Sequence, residues 1–200
     1  KKITNSEELP GALLQVVDKD GNVVEEWIST DKPHETVAKL VVDESYVLRE
    51  VRPADGWAYA EDVPFKVSHD GTVDYVKMED KPTHVVISKQ EITGSKELPG
   101  CTLQVIDKNG NVVDEWFSTD QPHEIKEKLI ADEEYTLREV RPADGWAYAE
   151  DIPFKVSHDG TVDQVKMEDK PTHVVVSKKK ITGKEELPGC HLVIKDKNGN

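Results

Sequence analysis

The sequence has no apolar run approaching the roughly 20 residues that a membrane-crossing helix needs, and no secretory leader opens it. The segment is therefore expected to make no membrane contact of its own. Positive charge is scarce: 40 Asp and Glu stand against 26 Lys and Arg, a net charge of -14 over 200 residues. Binding phosphates needs Lys/Arg-rich faces, so nucleic acid is excluded as a partner. Aromatic residues make up only 6%, which suits modest soluble domains. The histidines His34/His123, His69/His158 and His84/His173 mostly flank turns, and none is spaced with another like metal ligands, so neither metal nor cofactor is expected. No Ser/His or Cys/His constellation appears either, which argues against a turnover enzyme.

What is present is repetition, which decides the fold before any motif is weighed. Placing Ile3 on Ile92 aligns the chain with itself at a spacing of 89 residues, and from Leu48 to Lys89 only Val63, Tyr75 and Ile87 differ from the second copy. The chain divides into a first repeat (residues 1–83), a complete second repeat (84–171) and the beginning of a third (172–200). The two cysteines, Cys101 and Cys190, occupy equivalent positions of different repeats where the first copy has Ala12. Such sites lie too far apart for a disulfide, so both are expected to be small buried thiols.

Each unit reads as short strands punctuated by turns. "HVVISK" is followed by an "ELPG" break and then by "CTLQVIDKNGNVVDEWFS", whose centre Lys108–Asn111 tolerates the positive φ of a hairpin turn. "EEYTLREV", "IPFKVSHDGTV" and "QVKMED" follow, with His158-Asp159-Gly160 as a further turn. "PHEIKEKL" fits a helical turn or a short strand equally. Six or seven strands in fewer than 90 residues predict an all-β fold, an antiparallel β-sandwich in each repeat. "DKDGN" and "DKNGN" have a calcium-loop flavour, but Gly falls at the fourth position and Ser29 or Ser118 at the twelfth, where such loops want Gly sixth and Glu twelfth. They read as turns.

Alternation along strands exposes an anomaly. Tyr46, Leu48 and Glu50 share a face, as do Tyr135, Leu137 and Glu139. So do Val85, Ile87 and Lys89; Val174, Val176 and Lys178; Val76, Met78 and Asp80; and Val165, Met167 and Asp169. A single charge in core phase at a strand end usually escapes to solvent. A Lys, a Glu and an Asp on three strands of one repeat form a set that can react, and buried ions left unpaired cost several kcal/mol each.

"VVISKQEITGSKELPGCTLQVIDKNGNVV", "YTLREVRPADGW" and "VKMEDKPT" together resemble the collagen-adhesin B-type (CnaB, or SpaA pilin-like) repeat of Gram-positive surface proteins, and the resemblance spans the whole repeat. It implies tandem prealbumin-like or Ig-like sandwiches. It also implies an intramolecular isopeptide bond between a first-strand lysine and a last-strand acid, promoted by a strand glutamate. Carried over residue by residue, these are Lys89, Asp169 and Glu139 in the second repeat. In the first repeat only Glu50 and Asp80 match, and in the third only Lys178. After the glutamate, Pro142-Ala143 with Trp146 departs from the family's Ala-Pro and Tyr. The chemistry suits the residue types: amide formation needs a neutral amine and a protonated acid, and burial discharges both ions. The glutamate would act once, as an internal proton carrier.

Two functions follow from the resemblance. One is a structural stalk of a cell-surface or cell-wall-anchored adhesin or pilus-like fibre, with neighbouring repeats as partners and any host ligand held by other domains. The other is a multivalent module that itself grips a host matrix protein or glycan. The third repeat poses a separate question: its lysine strand either lies against an equivalent of Asp80 in a neighbouring copy, as in a longer array, or stands unpaired.

Overall fold

The structure is a computed structural model describing residues 1–36 and 39–200. Its second repeat contains seven strands in two sheets: β5 (His84–Glu91), β6 (Thr102–Asp107), β7 (Val112–Phe117), β8 (His123–Lys126), β9 (Glu134–Arg141), β10 (Ile152–Lys155) and β11 (Val162–Asp169). One sheet has the order β10-β9-β6-β7 and the other β11-β5-β8. Among the described residues no helix is long and apolar enough to cross a membrane.

Local chemistry sets the turns. Between β6 and β7, Asp107 Oδ1 accepts the backbone N–H groups of Asn109 and Asn111, and Gly110 takes φ +86°. The carboxylate of "DKNGN" is thus spent on its own turn, and hydrogen bonding from Asn111 holds its pKa below the usual range. The "PHEIKEKL" ambiguity resolves as a strand: Ile125 turns inward, and β8 pairs antiparallel with β5, His84 opposite Lys126.

Strand alternation delivers the core. Val85 and Ile87 of β5, Leu103 and Val105 of β6, Leu137 of β9 and Met167 of β11 interdigitate between the sheets. Tyr135 sinks its ring into the same core while its phenol oxygen accepts the N–H of Ile130 at 3.0 Å. One pair departs from the expected antiparallel pattern. β11 runs parallel to β5, with Val162 opposite His84 and Asp169 opposite Glu91. The chain therefore enters the repeat at one end of this pair and leaves at the other, about 25 Å away at 3.3 Å per residue.

The first repeat holds β1 (Leu13–Asp18), β2 (Val23–Ile28), β3 (Ser45–Arg52) and β4 (Val63–Lys66) in one sheet of order β2-β1-β3-β4. Residues 71–79 form no strand, though Met78 and Asp80 remain buried and Lys2 pairs with Asp80 in an isolated parallel bridge. Beyond Thr172, the third repeat has turns and an isolated Lys179–Glu186 bridge but no strand. Val174, Val176 and Cys190 are exposed, against expectation, because no facing sheet is there to cover them.

This contrast has a measurable consequence. Leu103 is fully buried between two sheets, whereas its equivalent Leu14 is partly exposed. Leu103→Ala is expected to destabilise its repeat by about 2 to 5 kcal/mol and Leu14→Ala by much less, as read from denaturant unfolding of each variant.

Candidate functional site

The three charged side chains of the second repeat converge inside the sandwich. β5 alternates inward at Val85, Ile87 and Lys89; β9 at Tyr135, Leu137 and Glu139; and β11 at Val165, Met167 and Asp169. Lys89 is 2% exposed, Asp169 1% and Glu139 6%. Lys89 Nζ lies 2.9 Å from Glu139 Oε1 and in direct contact with Asp169 Oδ1. The approach to Oε1 is out of line for a hydrogen bond, so that contact is ionic and not directed. The other Glu139 oxygen is fixed: Oε2 accepts the N–H of Ala149 at 2.8 Å. Glu139 therefore leans across the lysine–aspartate contact from a pinned position.

Electrostatics at Asp169 are decided by burial. Desolvation pushes its carboxyl above the usual range, Lys89 pulls the other way, and the nearby Glu139 charge adds to the rise. The Cys101 thiol, also raised chiefly by burial, sits 3.8 Å from Asp169 Oδ2. Cys101, Glu139 and Asp169 offer three metal-type donors within reach of one another. Lys89 Nζ lies against both carboxyl groups and fills the position a cation would take between them.

The backbone of Lys89 is clipped as well. Its N–H donates to Glu97 Oε2 at 2.9 Å, and its carbonyl accepts the N–H of Leu98 at 2.6 Å. The "ELPG" segment, read from sequence only as a turn, is thus a two-point clasp on the lysine. The third repeat repeats it: Lys178 N–H donates to Glu186 Oε2 and its carbonyl accepts from Leu187 N–H. The constant spacing of lysine and "ELPG" was the available signal. The contact of Cys101 with Asp169 had no signal beyond its inward phase.

Of the remaining predicted residues, Glu50 and Asp80 come together, while Lys178 stands apart from them. Glu50 and Asp80 are buried side by side in the first repeat. Glu50 Oε2 accepts the N–H of Ala60, and Oε1 has no hydrogen-bond partner among the described residues. Lys178 is exposed, and its side chain forms no ion pair among the described residues.

Burial, more than any other cause, pushes Glu50 up to about 8 from an ordinary 4.5, with the Ala60 N–H opposing and Asp80 reinforcing; burial likewise raises Asp80. A carboxyl raised on folding favours the protonated, folded form. Its stabilisation is full below about pH 4.5 and is lost as pH climbs through about 8, a few kcal/mol in all. The opening free energy of β3, from amide exchange, is expected to fall across that window, and Glu50→Gln to flatten the decline.

Comparison with known proteins adds the lineage. The family described as SpaA, prealbumin-like fold domain, matches residues 1–82 and again 83–171. Among solved structures, the Bacillus anthracis TIE protein is similar at 17% identity and TM-score 0.47, over 84% of this chain and 32% of that one. The shaft pilin spaA of Lactobacillus rhamnosus GG is similar at 12% identity and TM-score 0.42, covering 86% of this chain and 89% of its own. The minor pilin GBS52 of Streptococcus agalactiae is similar at 14% identity and TM-score 0.42, covering 87% and 88%. A search of curated proteins finds no match. With the family matched across both of its sandwich repeats, this chain belongs to the SpaA prealbumin-like fold domain family.

Proposed function

We propose that the chain is a stalk segment of a Gram-positive surface adhesin or pilus-like fibre, and that its complete repeat locks itself with a Lys89–Asp169 isopeptide bond. The observation that carries this reading is the buried contact of Lys89 with Asp169 under a pinned Glu139. Folding holds amine and carboxyl together, so their encounter is effectively unimolecular.

The step balances without an outside reactant. With one proton first passed from the Lys89 ammonium to the Asp169 carboxyl, the neutral Nζ attacks the Asp169 carboxyl carbon; a C–N bond forms and the C–OH bond breaks. Glu139 takes a proton from the attacking nitrogen and passes it to the departing oxygen, which leaves as water. Glu139 ends as it began, and the product stays in the protein. The reaction therefore occurs once per repeat, and the domain turns over no substrate.

The mechanical case rests on the parallel β5–β11 pair. Tension enters at His84 and leaves after Asp169, at opposite ends of that pair. A bond from Lys89 to Asp169 carries the load through residues 84–89 and across to the exit, leaving residues 90–168 off the path. Closing a loop of about 80 residues contributes on the order of 4 to 5 kcal/mol, against roughly 0 to 1 for a surface ion pair. Location at the cell surface follows from the stalk role.

Intact-mass measurement tests the bond: the chain is expected one water lighter than its sequence, and Glu139→Ala is expected to restore that water. Full sequence mass in the unaltered chain overturns the proposal. Lys89→Ala is expected to fold with most of its core intact, yet to lose on the order of 4 to 5 kcal/mol and to be digested faster by protease. Unchanged melting and digestion would remove the mechanical role.

A further inference from the structure

The octapeptide "PADGWAYA" occurs twice, at residues 53–60 and 142–149, in two different environments. In the first repeat Gly56, Trp57 and Ala58 are buried, Ala58 completely. In the second, Gly145 and Ala147 are exposed and Tyr148 is 66% exposed. What covers the first copy is the second repeat. Thr83 Oγ1 lies 3.0 Å from the Gly56 carbonyl and 2.7 Å from that of Leu129, and Glu127 N–H donates to the Thr83 carbonyl. Tyr59 N–H donates to the His158 carbonyl, and the two rings stack at 4.2 Å, 12° from parallel.

Two glycines key this joint. A Cβ on Gly56 would stand 2.5 Å from the Glu127 carbonyl carbon and oxygen, and one on Gly160 would stand 2.8 Å from Lys81 Cβ. At Gly56 backbone passes close to backbone, and at Gly160 close to the Lys81 and Ala58 side chains, so a Cβ at either position would force the joint to shift.

The exposed copy is already shaped for the same partner. Trp146 N–H donates to the Ala143 carbonyl, Ala147 N–H to that of Lys170, and Thr172 N–H to that of Gly145, matching Trp57 to Ala54, Ala58 to Lys81 and Thr83 to Gly56. Thr172 Oγ1 lies 3.0 Å from the Gly145 carbonyl, as Thr83 does from Gly56. Only the far side is missing.

We infer that the Gly145–Tyr148 turn with Thr172 is a docking surface for a following repeat of the same sequence, which would close a second glycine-keyed joint at the same fixed angle as the first. The occupant is set by continuity: the surface repeats an interface already filled within this chain, and the chain beyond Thr172 opens a further copy of the repeat. This inference rests on the stalk reading but not on its crosslink.

The test exploits a built-in control. Gly56 and Gly145 have φ of +82° and +88°, so alanine is strained alike at both, yet a Cβ on Gly145 meets nothing within 4 Å. Residual dipolar couplings report whether repeats share one alignment tensor. In the 200-residue chain, Gly56→Ala is expected to abolish the shared tensor of the first two repeats and Gly145→Ala to leave it intact. In a chain lengthened by duplicating residues 83–171 in frame after Pro171, the added repeat is expected to share the tensor of the second, and Gly145→Ala to abolish that sharing. An added repeat that tumbles independently, or Gly145→Ala without effect in the lengthened chain, overturns the inference. Should Gly56→Ala unfold the first repeat, Thr83→Val, which removes the hydroxyl reaching Leu129, replaces it and is expected to loosen the tensor. Intact mass, measured on the same samples, separates failure of the joint from failure of the crosslink.

Discussion

Three ionisable groups held out of water in direct contact are the constraint on which the second repeat depends. A lone Lys89, Glu139 or Asp169 in that core would cost several kcal/mol. Together they offset one another, and only when three strands from distant parts of the repeat are in register. The site thus polices the topology: β5 must lie beside β11, and β9 must present its inward face across from both. Clasping of the Lys89 backbone by Glu97 and Leu98 adds a second check on register at the same residue.

The first repeat shows what happens when that constraint is incomplete. It retains its four-stranded sheet, and Glu50 and Asp80 still turn inward. Residues 71–79, on the segment equivalent to β11, form no strand, and Tyr75 stands 93% exposed. Inward phase survives where pairing does not, so side-chain alternation and ladder formation are separable: the first follows from local pleating and burial, the second from a partner strand.

That separation also marks what the sequence could reveal. The spacing of 89 residues and the inward phase of Lys89, Glu139 and Asp169 are written in the order of residues, since period-2 alternation assigns each side chain to a face. The parallel β5–β11 pairing is not, because alternation says which residues share a face and not which strand lies alongside. Likewise "PHEIKEKL" carried no decisive period; tertiary pairing with β5 made it a strand. The joint at Gly56 was invisible for a different reason. Glycine in "ADGW" reads as a turn, and a turn it is, but its approach to Glu127 arises between repeats, where no local rule applies.

The parallel pair of first and last strands has one more consequence, which concerns time. Lys89 is among the earliest residues of its repeat to leave the ribosome or a secretion channel, and Asp169 among the last. Their contact spans nearly the whole repeat, so closing it is a late, non-local event in folding. The contact cannot form while any part of the repeat is still unfolded. The lysine strand waits, clasped by its own "ELPG" turn, and the final strand completes the fold and arms the site in one motion. The buried triad is therefore assembled only after the whole repeat has emerged.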